Sequence, residues 1–240
     1  LEGYQASIHA RLARPGVEVV DAGLIDSVEK ARAAARFFAE QRVELLFLYV
    51  STYALSSTVL PVVQQAKAPV VVLNLQPVGR IDYAAFNALE SREEMTGEWL
   101  AHCQACSAPE ISGVFKRAGI DYHLVTGVLD APEAWAEIGA WVDAARVRAL
   151  LRDSVVGLVG HYYAGMMDVY SDYTQLAAVF GTHFALLEID ELRALRDAVT
   201  PDEIAAMRAR FSATFAVSPD CGPDELHRAA RTSCALHRLV

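Results

Sequence analysis

The residues with chemical potential fall in a few short stretches. The densest is His161-Tyr162-Tyr163-Ala164-Gly165-Met166-Met167-Asp168, with Tyr170 and Asp172 just beyond, directly after an apolar run. Flat rings with hydroxyl or imidazole partners are what a polyol ligand requires, and the same residues equally suit a helix–sheet packing layer with tyrosines at its rim. Gln76 ends the run Leu73-Asn74-Leu75-Gln76-Pro77. Its amide can donate to and accept from a sugar hydroxyl, or cap loop backbone. His102-Cys103-Gln104-Ala105-Cys106 has the look of half a zinc ribbon. No second Cys or His pair follows at matching spacing, and Cys221 and Cys234 do not supply one. The Cys pair is expected late in a helix, which disfavours a redox dithiol, because a reactive thiolate wants a helix amino end. No Gly-rich phosphate loop and no G-x-S-x-G elbow occurs, so nucleotide phosphates and a serine nucleophile lack their usual anchors. His9, His123, His183, His227 and His237 are scattered and read as surface or satisfied core residues.

These stretches need elements to position them. Short β-branched runs predict strands at Val17 to Val20, Val43 to Val50, Pro69 to Gln76, Tyr122 to Thr126, Val155 to Gly160 and Phe184 to Ile189. Their near-continuous apolarity suits strands covered on both faces. Amphipathic stretches between them predict helices over Ser27 to Gln41, Ala54 to Ala66, Arg92 to Cys106, Glu110 to Ala118, Pro132 to Arg152 and Tyr173 to Phe180. Strand then helix, repeated, predicts an α/β fold: a doubly wound parallel sheet, Rossmann- or flavodoxin-like, with right-handed crossovers. The first domain is expected over 1–153. A second, smaller α/β domain is expected over 154–240, with a helical C-terminal stretch from Asp190. In such sheets ligands sit beyond the carboxyl ends of the strands. That rule selects the loops at Ser51-Thr52-Tyr53, Pro77-Val78-Gly79-Arg80, Gly127 and His161 to Asp168.

Composition limits the partners. The chain of 240 residues carries 21 Lys and Arg against 30 Asp and Glu, a formal net charge of -9. An acidic balance disfavours a phosphate-backbone partner, so no nucleic acid is expected. A hydrophobic content of 53% excludes disorder. The apolar runs are too short to cross a bilayer, so no membrane span is expected. With no charged-then-apolar leader and no regular cysteine framework, reduced thiols and a cytoplasmic location are expected. Leu1 to Arg14 already reads as a helix and Val240 closes inside another helical pattern, so the sequence is expected to be a piece of a longer protein.

From about Tyr49 onward the chain resembles the L-arabinose/L-fucose isomerase family, in its arabinose-isomerase-like branch. The resemblance lies in Tyr49-Val50-Ser51-Thr52-Tyr53-Ala54-Leu55-Ser56-Ser57-Thr58-Val59-Leu60-Pro61, Pro69-Val70-Val71-Val72-Leu73-Asn74-Leu75-Gln76-Pro77, Phe86-Asn87-Ala88 and Met95-Thr96-Gly97-Glu98-Trp99-Leu100. It continues through His161 to Asp168, Val217-Ser218-Pro219-Asp220 and Ala229-Ala230-Arg231-Thr232-Ser233. It implies an enzyme that interconverts an aldose and a ketose with a divalent cation, usually manganese (Mn2+). The acids and histidine that bind the metal and move the proton would lie in a later domain beyond Val240, so no catalytic residue and no metal ligand is expected in this chain. The piece alone is expected to be inactive. The resemblance also implies a homo-oligomer in which the first domain of one subunit covers a neighbour's site and binds the monosaccharide. The corresponding positions are Tyr53, Gln76 and Gln104, with Met166 from the second domain; His161 joins them from the loop it opens. Where arabinose isomerases carry a histidine shortly after the glutamine matching Gln104, this chain has Cys106-Ser107, so L-arabinose itself is not implied as substrate. A sugar-binding or regulatory module without chemistry is the alternative reading.

Overall fold

Val70-Val71-Val72-Leu73-Asn74-Leu75-Gln76 is β-branched or apolar at nearly every position, so a strand made of it can be stable only with both faces covered. That is how it sits in the computed structural model, which describes residues 2–239. Val70–Gln76 (β2) is the middle strand of a three-stranded parallel sheet, between Leu46–Tyr49 (β1) and Tyr122–Val128 (β3). Leu46 lies opposite Val70, and Val70 opposite Tyr122. Alternate side chains feed two cores. Leu46, Val50, Val70 and Val72 face helices Val28–Glu40 (α2), Ser56–Gln64 (α3) and Gln104–Arg117 (α6), through Ala31, Ala34, Val62, Val63, Ile111 and Phe115. Val71, Leu73 and Leu75 face Glu2–Leu12 (α1) and Pro132–Arg152 (α7), through Ile8, Ala134 and Ile138. Full burial of such a side chain stabilises by about 1.5–3 kcal/mol, and Leu73→Ala would cost about 2–5 kcal/mol.

Three local expectations are corrected. Val17 to Val20 is not a strand: its one backbone bond is a turn, Val17 N–H to the Arg14 carbonyl at 3.0 Å. β-Branching favours extension, but a strand exists only through a partner's hydrogen bonds, and residues 18–26 make no backbone–backbone bond among the described residues. Second, Arg92 to Cys106 is not one helix. Arg92–Ala101 (α5) ends and α6 begins at Gln104, with a break at His102 and Cys103. The break is stabilised by side chains that satisfy the last carbonyls of α5, groups any helix end leaves orphaned. Cys103 Sγ donates to the Trp99 carbonyl at 3.3 Å, Thr52 Oγ1 to Leu100 at 2.7 Å and Gln104 Nε2 to Ala101 at 2.9 Å. Third, Cys103 and Cys106 therefore lie at the amino end of α6, not late in a helix. A short helix, Tyr83–Asn87 (α4), has no counterpart in the sequence reading; Asp82 Oδ1 caps it by accepting from the Ala84 and Ala85 amides at 3.1 Å each.

The chain forms two compact units, one up to Val147 and one from Arg148, so the division falls inside α7. The second unit pairs Val155–Val159 (β4) and His183–Leu187 (β5) in parallel, Val155 opposite His183. Tyr173–Phe180 (α8) connects them. Ile189–Asp197 (α9), Pro201–Thr214 (α10) and Pro223–Leu239 (α11) follow and enclose a core of Val199, Ile204, Ala230, Cys234 and Ala235. Thr200 opens α10 with a capping box: its hydroxyl oxygen accepts from the Glu203 amide while the Glu203 carboxylate accepts from the Thr200 amide. Both sheets are parallel, and the architecture is mixed α/β. Among the described residues no helix is long and apolar enough to cross a membrane.

Candidate functional site

Parallel strands end on one edge of a sheet, so the loops after β1 and β2 start side by side. The loop after β1, residues 51–55, is held from beneath by α6. Gln104 Nε2 donates to the Ser51 carbonyl at 2.9 Å, and the Ala54 amide donates to Ser107 Oγ at 2.7 Å. One turn further along α6, the Glu110 carboxylate accepts from the Ser56 hydroxyl at 2.5 Å. Gln104 and Ser107 are completely buried, three residues apart on one helix face. Tyr53, on the pinned loop, remains 51% exposed and presents its ring to solvent. Gln104 therefore works as a clamp under the loop. Its Oε1 is buried without a partner among the described residues, and its Nε2 is engaged by two carbonyls. Glu110 was not singled out by the sequence reading, and Ser107 and Thr52 were given no part in holding this loop. A pair of polar residues at helical spacing on an otherwise apolar face was the available signal.

Gln76 closes β2. Its carbonyl accepts from the Leu129 amide at 2.8 Å, which ties the strand end to the turn after β3. Its side chain is held more loosely: Nε2 donates to Asn74 Oδ1 at 3.4 Å, and Asn74 Nδ2 donates to Thr126 Oγ1 at 3.4 Å. Both contacts are well beyond the usual 2.9–3.0 Å, so little energy opposes turning the Gln76 amide toward a ligand hydroxyl. Asn74 and Gln76 share one face of β2.

The second unit holds His161 and Met166 after β4, both exposed. The loop is organised by rings. Tyr162 lies 5.3 Å from Tyr170 and 6.2 Å from Tyr173, and Tyr173 lies 5.1 Å from Phe184, between ring centroids. The Tyr162 and Tyr173 hydroxyls share a hydrogen bond, and that bond, followed by burial, pushes the Tyr173 hydroxyl up to about 12. Tyr163 and Met167 stand outside this stack, 75% and 77% exposed. His161, Tyr163, Met166 and Met167 are all exposed on this loop.

Among the described residues histidine meets carboxylate in two pairs, His123 Nε2 to Glu137 at 2.6 Å and His102 Nε2 to Glu98 at 3.5 Å. Among the described residues no three His, Cys, Asp or Glu side chains gather as a metal ion requires. All four cysteines are free thiols, Cys103 and Cys234 buried, Cys106 and Cys221 exposed. Burial, and then the neighbouring Cys106, push the Cys103 thiol up. No known protein-family model matches the chain, and no curated protein matches it.

Proposed function

We propose that this chain is the amino-terminal part of a metal-dependent aldose–ketose isomerase of the L-arabinose/L-fucose isomerase kind, acting as a homo-oligomer on a monosaccharide. The observation that carries the proposal is the clamped loop: α6 fixes Ser51 to Ser56 while Tyr53 stays half exposed, on the same sheet edge that the loosely held Gln76 amide closes. An aromatic face packs on the carbon skeleton of a sugar, and an amide both donates to and accepts from its hydroxyls. Both groups are uncharged, so they bind and orient without moving a proton. Gln104 and Ser107 act through the loop they hold. The metal ligands and the proton transfer are assigned to another domain of the enzyme, as the resemblance implies. His161 and Met166, exposed in the second unit, are assigned to contacts with the same class of ligand. Helices on both faces of β2 support a doubly wound sheet as the scaffold.

The test is turnover by the complete polypeptide that contains this chain, with Mn2+ and a panel of aldoses, for the parent and for Tyr53→Ala and Gln76→Ala. An uncharged contact of this kind is worth about 1–2 kcal/mol, so each variant should raise KM roughly five- to thirtyfold with manganese affinity unchanged. Unchanged kinetics in both variants reduces the two residues to loop packing. Binding of sugar with no ketose formed by the parent favours the sugar-binding module instead.

A further inference from the structure

Cys103-Gln104-Ala105-Cys106 has the spacing of a dithiol motif. Cys103 is the residue just before α6, with φ -87° and ψ 14°, and Cys106 stands in the first turn of that helix. The amino end of a helix is where reactive Cys-x-x-Cys pairs are held.

The turn brings the two residues together. The Cys106 amide donates to the Cys103 carbonyl at 3.1 Å, and the Ser107 amide donates to the same oxygen at 3.3 Å. A turn closed in that way keeps its end Cα atoms within about 7 Å, and disulfides bridge Cα atoms about 4.4–6.8 Å apart. Side chains at this spacing also share one helix face. The thiols act on one another: after burial, it is Cys106 that pushes the Cys103 thiol up. The turn has room to adjust. Pro109 has no N–H to offer the Ala105 carbonyl one turn back, so residues 103–106 are tied into α6 by one backbone bond fewer than a regular helix uses.

The two thiols are unequal. Cys106 is exposed, whereas Cys103 is 4% exposed and its Sγ donates to the Trp99 carbonyl at 3.3 Å. An oxidant arriving from solvent therefore meets Cys106 first, and Cys103 is placed to resolve the product. Cys221 and Cys234 have no such arrangement. Cys221 precedes α11, and Cys234 lies three turns along that helix, about 16 Å by helix rise.

We propose that Cys103 and Cys106 form a redox site: a dithiol that a small-molecule disulfide converts, reversibly, into an intramolecular disulfide. The Cys106 thiolate attacks one sulfur of the small disulfide, forming a mixed disulfide and releasing one small thiol. Cys103 then attacks the Cys106 sulfur, the mixed disulfide breaks, and the second small thiol leaves. The two protons shed by the cysteines are taken up by the two departing thiolates, and two electrons pass from the pair to the small disulfide. The ring that closes contains Gln104, so the site lies within the clamp under Ser51 to Ala54. Oxidation removes the S–H donor from the Trp99 carbonyl, which keeps the His102 amide at 3.1 Å, so the end of α5 survives it.

The test is reaction of the folded 240-residue chain with glutathione disulfide, stopped by alkylation and followed by mass on tryptic peptides. Peptide 93–116 holds both Cys103 and Cys106, and peptide 211–228 holds Cys221. Peptide 93–116 should lose two hydrogens and retain no glutathione, whereas 211–228 should keep one glutathione, since Cys221 has no thiol within reach. Dithiothreitol should reverse both changes. Cys103→Ser should leave one glutathione on Cys106, and the parent's own peptide masses decide the matter if that variant does not fold. The oxidised parent should melt no lower than the reduced one. Glutathione that stays on peptide 93–116 of the parent, a bridge between two copies, or a pair that stays reduced while Cys221 reacts would overturn the proposal. An oxidised chain that melts more than about 4 °C below the reduced one overturns it as well, because the bridge would then strain the fold.

Discussion

Gln104→Ala should loosen the loop that carries Tyr53. The substitution removes two donated hydrogen bonds, to the Ser51 and Ala101 carbonyls at 2.9 Å each, from a side chain that is fully buried. Two carbonyls lose their donor and a cavity opens under the loop. An orphaned buried polar group costs about 1–3 kcal/mol, and collapse around the void recovers only part of the packing. The total for the first unit should be about 2–4 kcal/mol. For a unit of this size, that lowers the melting temperature by about 4–16 °C. Gln104→Met keeps most of the volume and eliminates the buried, unpartnered Oε1, so it should cost less, about 1–2 kcal/mol. Calorimetry measures the melting temperatures, and amide exchange at Ser51, Tyr53 and Ala54 locates the effect. If Gln104→Ala melts within about 1 °C of the parent and these amides keep their rates, the clamp does not exist as described.

Other consequences are checked by simple means. Glu203 is held at about 2, below its ordinary 4.5, by the Thr200 amide and hydroxyl and by Arg238. A carboxylate depressed on folding adds stability above about 4.5 that is lost as pH falls toward 2, so Glu203→Gln should flatten the acid limb of the second unit's helix unfolding, followed by circular dichroism. At pH 8 a thiol reagent should modify Cys106 and Cys221 quickly and Cys103 and Cys234 slowly, because the latter two are buried and Cys103 resists ionisation; four equal rates would contradict the packing. The 240-residue chain with Mn2+ should form no ketose from any aldose in a colorimetric assay, and measurable ketose would reveal a catalytic site within it.

Burial on two faces is what made parts of this fold legible. Val70–Gln76 announces itself because a strand covered by helices has almost no polar position. Pro132 and Tyr173 open their helices where first-turn proline and the Asp172 cap place them. Val17 to Val20 looks the same in composition, yet it has no ladder, because pairing is a property of the neighbour and not of the segment. The break at His102 and Cys103 carries no Gly or Pro. It is made by side chains from three positions reaching the end of α5, two of them local (Cys103 and Gln104) and one, Thr52, from 48 residues away, which local spacing does not encode. The strand assignments alone put Tyr53 and Gln76 on the carboxyl edge of the sheet, and their part in binding sugar is what the resemblance implies. Gln104 is visible as a residue, but its burial under Ser51 is not, since that depends on the turn between α5 and α6.

The central claim, that the carboxyl edge of β1 and β2 receives a sugar, is tested most directly by a monosaccharide titration of the 240-residue chain, followed residue by residue through amide and side-chain NMR shifts. Aldoses and their ketose partners should move the signals of Tyr53, Gln76 and the Ser51 to Ala54 amides in a saturable way, with Kd in the millimolar range expected of a few uncharged contacts. Tyr53→Ala should weaken that binding at least about fivefold. Saturable shifts confined to other residues, or none at any of these positions up to the solubility of the sugars, would contradict the account.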